Sequence, residues 1–317
     1  MTGAGKGAES ALGRMFGADG GTTFMGLPAG DLEGFAGGVA LIGAGACTSY
    51  ASVGAYCAGA PAAIRAASRR YAANLTHMNF DLGGPVIPEG ATVTDVGDLP
   101  QVDGEGAANR ARIAAAVAKV VACGGVPVIL GGDDSIPTPM LAELGPEPLW
   151  ILQIDAHIDW RDAVDGEPLG LSSTMRRASE MAHVAGIVQV GQRGIGSARV
   201  GDVADARAWG ASFVPAQEVA REGIGRALAM IPEGARIALC LDCDAIDPAV
   251  MPAVIARTAG GLSYWDVLGL VEGAAARGRI VAADMVEFMP EADIDGQGAL
   301  VAAQLLAAIL GIVARQG

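Results

Sequence analysis

The apolar runs of this chain do not alternate. VPVILGG (126–132), LWILQIDAH (149–157) and RIALCLDCD (236–244) are nearly continuous stretches of aliphatic residues. A strand with one face in water alternates apolar and polar side chains, whereas a strand covered on both faces need not. Similar runs are GVALIGA (38–44), IVQVGQR (187–193), ASFVPA (211–216) and RIVAADMVEF (279–288), with a shorter one near ATVTDVGD (91–98). Helical stretches lie between them, at 60–73, 105–123, 200–209, 216–230, 263–277 and 297–314. Strand and helix alternate to the end, without an internal repeat or a dividing linker. The pattern predicts one three-layer α/β/α domain over 37–317, with a mostly parallel sheet of about eight strands, preceded by a loose arm at 1–36.

Composition narrows the partners. Aromatics are only 4% of the 317 residues, so the core is aliphatic, and the formal charge is −14 with no basic run to reverse it locally. Such a chain repels phosphate backbones and anionic membranes and favours cationic small ligands or metal ions. Neither a nucleic acid nor a membrane is expected as a partner. GALVAAQLLAAILGIVA (298–314) is near the lower length of a membrane span, but it carries Gln304 and lacks a basic N-terminal flank. A helix buried in the core or in a subunit contact is the expectation there. The N-terminus shows no apolar segment of the signal-peptide kind. Cys47, Cys57, Cys123, Cys240 and Cys243 have no zinc-site spacing, and alternation along a strand sends Cys240 and Cys243 to opposite faces. Reduced thiols in a cytoplasmic protein are expected.

Open parallel sheets bind ligands at the carboxyl ends of their strands, and acids collect there. VPVILGG runs into Asp133-Asp134, LWILQIDAH into Asp155, His157 and Asp159, and RIALCLDCD into Asp242, Asp244 and then Asp247. If the strands stay extended, period two puts Asp155, His157 and Asp159 on one side, and likewise Asp242 and Asp244. Burying these carboxylates without a counter-charge costs several kcal/mol each. Metal resolves the conflict: oxygen ligands with one imidazole suit Mn²⁺, and this many acids suggest two ions per chain sharing bridging carboxylates.

GGDDS (131–135), DAHID (155–159) and DCDAIDP (242–248) resemble, in order and at strand ends, the GGDHS-, DAHxD- and DxDxxDP-like motifs of the ureohydrolases, the arginase and agmatinase family. TFMGLP (23–28), DVGD (95–98) and VEFMP (286–290) extend the likeness to an agmatinase-like branch over roughly 23–313. The resemblance implies that Asp155 and Asp242 bridge two ions, that Asp159 and Asp134 complete the coordination of the first ion, and that His157 and Asp244 complete that of the second ion. It implies that Glu287 holds the substrate's guanidinium group and that Asp133 orients the turn or a ligand. The implied reaction is attack of a metal-bridging hydroxide on a guanidino compound, giving urea and an amine. It further implies a homo-oligomer, a trimer or hexamer, with Mn²⁺ preferred and other divalent ions such as Ni²⁺ possible.

Two departures matter. Asp134 stands where the family motif has His, which adds negative charge to the site; it either still ligates or leaves one ion weakly held. Leu171, in EPLGLSSTMRRASEM (167–181), falls near the position of a family His thought to shuttle protons. The remaining histidines are His77 and His183, the latter on an apparent helix, so Asp159 or water is left to assist the leaving amine. No Asn lies between Ile158 and Leu171, which argues against arginase itself. Arg161 is a candidate to bind the carboxylate of an ω-guanidino acid, or is a surface residue paired with Asp162 or Asp165. Tyr50, Ser52 and Tyr56 either line the pocket or pack their loop. Two other readings stay open: a degenerate, non-catalytic subunit of an oligomer, and hydrolysis of another C–N bond such as a formimino group.

Overall fold

All eight expected strands form, and every neighbouring pair in the sheet is parallel. The computed structural model describes residues 21–317. The strands are β1 (Val39–Ala44), β2 (Val93–Asp98), β3 (Val126–Gly131), β4 (Leu149–Ile154), β5 (Val184–Val190), β6 (Ser212–Val214), β7 (Arg236–Asp242) and β8 (Arg279–Val286), in the order β2-β1-β3-β8-β7-β4-β5-β6. The helices are α1 (Ala60–Ser68), α2 (Gly106–Ala122), α3 (Pro137–Ala142), α4 (Thr174–Ser179), α5 (Val200–Trp209), α6 (Ala216–Glu222), α7 (Gly225–Ala229), α8 (Tyr264–Arg277) and α9 (Gln297–Ala314).

The continuous apolar strands are explained by helices on both faces. Leu152, Ile154, Leu239 and Leu241 pack in one core with α1 and α6 to α9. Ile129, Ile151 and Ala238 belong to a second core with α2 to α5. Helix α9 is long and apolar enough to cross a membrane, yet 78% of it is buried in the structure, packed on α1 and α8. Its Gln304 reaches the rim and donates to the Tyr71 hydroxyl at 3.0 Å.

Several boundaries differ from the expectation. The helix expected over 216–230 is two, α6 and α7, divided at Gly223 with φ 76°. Helices α3 and α4 are six residues each, too short to show periodicity. Residues 1–20, more than half of the expected arm, lie outside the described residues; after them Phe24, Met25 and Leu27 are buried, and the Phe24 amide donates to Asp95 at 2.8 Å. Strands β4, β7 and β8 stop at Ile154, Asp242 and Val286, short of the residues expected to continue them.

Topology assembles the site. Strands β3, β8, β7 and β4 are consecutive in the sheet, and parallel neighbours lie about 4.8 Å apart. Their carboxyl ends therefore bring Asp134, Glu287, Asp242 and Asp155 to one edge. Gly132 lets the first of these exits pass close to β1, because a Cβ there would overlap the Gly45 carbonyl oxygen.

Candidate metal centre

Three strands leave the sheet by the same local device. Asp133 Oδ1 accepts the Ser135 amide at 3.1 Å, Asp155 Oδ1 the His157 amide at 2.6 Å, and Asp242 Oδ1 the Asp244 amide at 2.6 Å. Each acid closes an Asx turn onto the residue two positions ahead. This corrects the extended geometry expected for 155–159 and 242–244. Asp244 sits in a 3₁₀ turn, and Asp159 has φ 45°. The acids converge because the chain turns.

The exits are tied together. Asp244 Oδ1 accepts the Ala156 amide at 3.1 Å, and His157 Nδ1 lies 3.0 Å from Asp244 Oδ2 and 3.4 Å from Asp155 Oδ1. Arg193 secures the turn after β7 by donating to the carbonyls of Asp244 (2.7 Å), Ala245 (3.1 Å) and Thr258 (2.8 Å). The adjacent acids of β3 separate. Asp133 is consumed by its turn, accepting also from Ser49 Oγ at 3.0 Å and the Cys47 amide at 3.4 Å. Asp134 faces the centre, where its buried Oδ2 has no hydrogen-bond partner among the described residues.

Two groups of potential ligands result, with their atoms within 4.8 Å of one another: Asp134, Asp155 and Asp242, and Asp155, His157 and Asp244. Asp155 belongs to both. Asp159 belongs to neither; its Oδ2 accepts the Gln153 side-chain amide at 2.6 Å, alongside Asp155 Oδ2 at 2.6 Å. Asp242, expected to bridge, joins only the first group.

The electrostatics state what such a cluster lacks. Burial first, and then neighbouring carboxylates, push Asp134, Asp159 and Asp242 well above the usual carboxylate range. Burial and the Asp155 charge raise Asp244. Burial opposes the charge of His157 as well, yet its hydrogen bonds to Asp155 and Asp244 bring it up to about 12. Burial likewise works against ionised Asp155, but the His157 partner holds it at about 2. One imidazolium cannot neutralise this many acids. The unpartnered Asp134 oxygen and the oxygen-rich donor set both fit divalent cations.

A cavity of about 160 Å³ opens over the centre, lined among others by Tyr56, Asp159, Arg161, Leu171, Asp202 and Glu287. Glu287 is buried with φ 64°, a left-handed backbone that costs about 1–3 kcal/mol. It is held there by a hydrogen bond that its backbone N–H donates to the Gly132 carbonyl at 2.7 Å. Its carboxylate accepts the Asp134 amide at 2.8 Å and the Tyr56 hydroxyl at 2.6 and 2.8 Å. Burial pushes Glu287 up to about 8 despite these donors.

Other candidates fall differently. Arg161 pairs with neither Asp162 nor Asp165: its Nε lies 3.3 Å from Asp202 on α5, while Asp162 pairs with Arg177. Its two terminal amino groups form no hydrogen bond among the described residues. His183 is in a turn, not a helix, with Nε2 2.9 Å from the Leu141 carbonyl oxygen. His77 lines a separate surface cavity with Tyr71 and Trp265. Tyr50 accepts the Ser172 amide at 3.2 Å, and Ser52 is exposed. Sequence reasoning missed Gln153, Gln189, Arg193 and Asp284. The available signal was polarity inside apolar strands: Gln153, Gln189 and Asp284 are each fully or almost fully buried in the sheet.

Fold and centre together define an all-parallel α/β protein with a carboxylate–imidazole cluster, a candidate metal centre, at the carboxyl edge of its sheet. The family model described as "Arginase family" matches residues 38–311. The chain belongs to the arginase family. It is 33% identical over 185 residues to "Arginase 1, mitochondrial" of Oryza sativa subsp. indica, covering 57% of this chain and 53% of that protein. It is 30% identical over 272 residues to "Agmatinase, mitochondrial" of Gallus gallus, covering 80% and 74%. The chain thus spans about half the length of the rice relative. The crystal structure of proclavaminate amidino hydrolase from Streptomyces clavuligerus superposes with a TM-score of 0.77 at 24% identity, covering 95% of this chain and 99% of that one. At that identity the superposition speaks for the fold alone.

Proposed function

We propose that the protein is a metal-dependent amidinohydrolase that converts a guanidino compound to urea and an amine. The observation that carries the reading is the pair of ligand groups sharing Asp155 beside a cavity that Glu287 also lines. Asp134, Asp155, Asp242, His157 and Asp244 would hold two Mn²⁺ ions per chain, with Asp159 beside them. Bound there, the ions would neutralise the acids and make water acidic enough to attack at neutral pH. The chain's own residues do the rest. Glu287 accepts the guanidinium N–H groups, and Tyr56 fixes its carboxylate plane. Water oxygen adds to the guanidino carbon, the bond to the substituted nitrogen breaks, and that nitrogen leaves with a proton. We assign the proton's transfer to Asp159, which takes the proton the attacking water gives up and delivers it to the departing nitrogen, since Leu171 offers no such group.

Arg161 decides the tail of the substrate in this reading. Asp202 holds its Nε and leaves the terminal amino groups free to fork onto a carboxylate. An ω-guanidino acid fits this mouth better than a compound ending in an ammonium group. The unpaired state of all five thiols accords with the cytoplasm, and a homo-oligomer is part of the same proposal.

Urea release from 4-guanidinobutyrate and from agmatine, each with Mn²⁺, tests the assignment. The acid is expected to be preferred, and Arg161→Gln is expected to raise its KM about tenfold or more, as for the loss of a charge-assisted hydrogen bond. Preference for agmatine, with Arg161→Gln unchanged, would remove Arg161 from the substrate site. Formamide from formimino compounds, without urea from any guanidino compound, would favour the other C–N bond. No turnover at all would favour a non-catalytic subunit.

A further inference from the structure

We infer that Gln189 and Gln153 form a one-way amide relay that sets the orientation of Asp155 and Asp159 from beneath the metal centre. The inference rests on the proposed role of these acids as metal-site residues. Gln153 and Gln189 are 1% and 0% exposed and face each other in register on β4 and β5. Gln153 stands two residues before Asp155. Both N–H groups of its amide are used, one to Asp155 Oδ2 and one to Asp159 Oδ2, each at 2.6 Å. Its carbonyl oxygen accepts from Gln189 Nε2, which also donates to the Ile158 carbonyl at 2.9 Å.

This pattern permits only one orientation of Gln153. Turned over, its oxygen would face two carboxylate oxygens and its amino group would face the donor of Gln189, so all three bonds would be lost. The unmet hydrogen-bonding capacity is displaced to the far end, where Gln189 Oε1 is buried without a partner. Asp155, shared by both ligand groups, is gripped at both oxygens: Oδ2 by Gln153 and Oδ1 by the His157 amide. The Gln189 bond to Ile158 fixes the turn that carries Asp159. An amide is the suitable donor here. Lys or Arg would place a cation where it competes with bound metal, and a carboxylate would add to the repulsion. Gln153 and Gln189 are therefore positioning residues, acting through the acids they hold.

The test is Mn²⁺ affinity by chelator competition on the purified full chain, with melting temperature in excess chelator as the folding check. Gln153→Leu keeps the volume and removes both donors; it is expected to weaken Mn²⁺ binding about 10–100-fold, the usual effect of losing a partner behind a metal ligand. Gln189→Met, which keeps the length but cannot donate, is expected to weaken it less. The double variant is expected to lose less than the sum of the two single losses, because Gln189 acts on Asp155 through Gln153 and independently only through the Ile158 turn. A purely structural role would lower the melting temperature and leave the affinity alone. Affinity within twofold of wild type in folded Gln153→Leu, or additive losses in the double variant, would overturn the relay. Should Gln153→Leu fail to fold, Gln189→Met decides: an unchanged affinity overturns the relay and a weakened one supports it. Wild-type protein that binds no Mn²⁺ would overturn the metal reading itself, a different failure from a wild-type chain that binds it and variants that bind it equally well.

Discussion

Asp155→Asn is expected to abolish urea release and to empty both ligand groups at once. Asp155 is the one residue common to them. The substitution preserves shape, and Asn can still accept the His157 amide that closes the turn. It fails at the other atom. An amide nitrogen in place of Oδ2 cannot ligate, and it meets the donor of Gln153 that now lies 2.6 Å from that oxygen. Loss of metal assistance worth several kcal/mol corresponds to a rate roughly a thousandfold lower or less. The check is paired: urea production under saturating substrate, and manganese bound per chain on the same sample. Retention of both would end the assignment of Asp155.

Removing metal is expected to make stability fall as pH rises. The sign follows from the direction of each shift. Asp134, Asp159, Asp242 and Asp244 are raised in the folded chain. Burial also lifts Glu287 and Asp284 to about 8. Between the ordinary carboxylate range and about 8, the folded state therefore binds more protons than the unfolded state, and each rise in pH favours unfolding. His157, raised to about 12, adds stability that is full below its unfolded value and drains above it, in the same direction. Asp155, held at about 2, acts oppositely, but only at far lower pH. Chelator-treated protein should thus melt at a lower temperature at pH 8.5 than at pH 5.5, and Mn²⁺-loaded protein should be flatter. At a hundred times its dissociation constant each ion adds about 2.7 kcal/mol. Two ions, at about 2–4 °C per kcal/mol for a chain of this order of size, separate the curves by roughly 10–20 °C at the higher pH. A chelated protein whose melting temperature rises across that interval would show that the acids are not mutually repelled as the geometry requires.

The strands were legible because burial on both faces leaves short continuous apolar runs, which differ from the equally apolar helix α9 in length. Their ends were not. An Asp at a strand terminus offers its own side chain as acceptor for the amide two residues on, and that local bond competes with the extended chain. Periodicity read through 155–159 and 242–244 therefore ran past the point where the backbone turned. Motif order located the acids and separated Asp133, expected on its turn, from Asp134, expected at the centre, but the hydrogen bonds that hold Asp133 there come from Ser49 and Cys47, far away in sequence. Arg161 shows a second limit. Its sequence neighbours Asp162 and Asp165 were the natural partners, yet Asp202 arrives from α5, placed there by the sheet order. Gln153 and Gln189 were visible as polar interruptions in apolar strands, but their joint meaning depends on β4 and β5 being neighbours in register.

The most direct test of the account is manganese content per chain by elemental analysis, after loading and gel filtration. Two ions per chain, one for each ligand group, is the predicted result, and it would include Asp134 among the ligands. One ion would contradict the paired-group reading, and a chain that retains none would contradict the metal centre altogether.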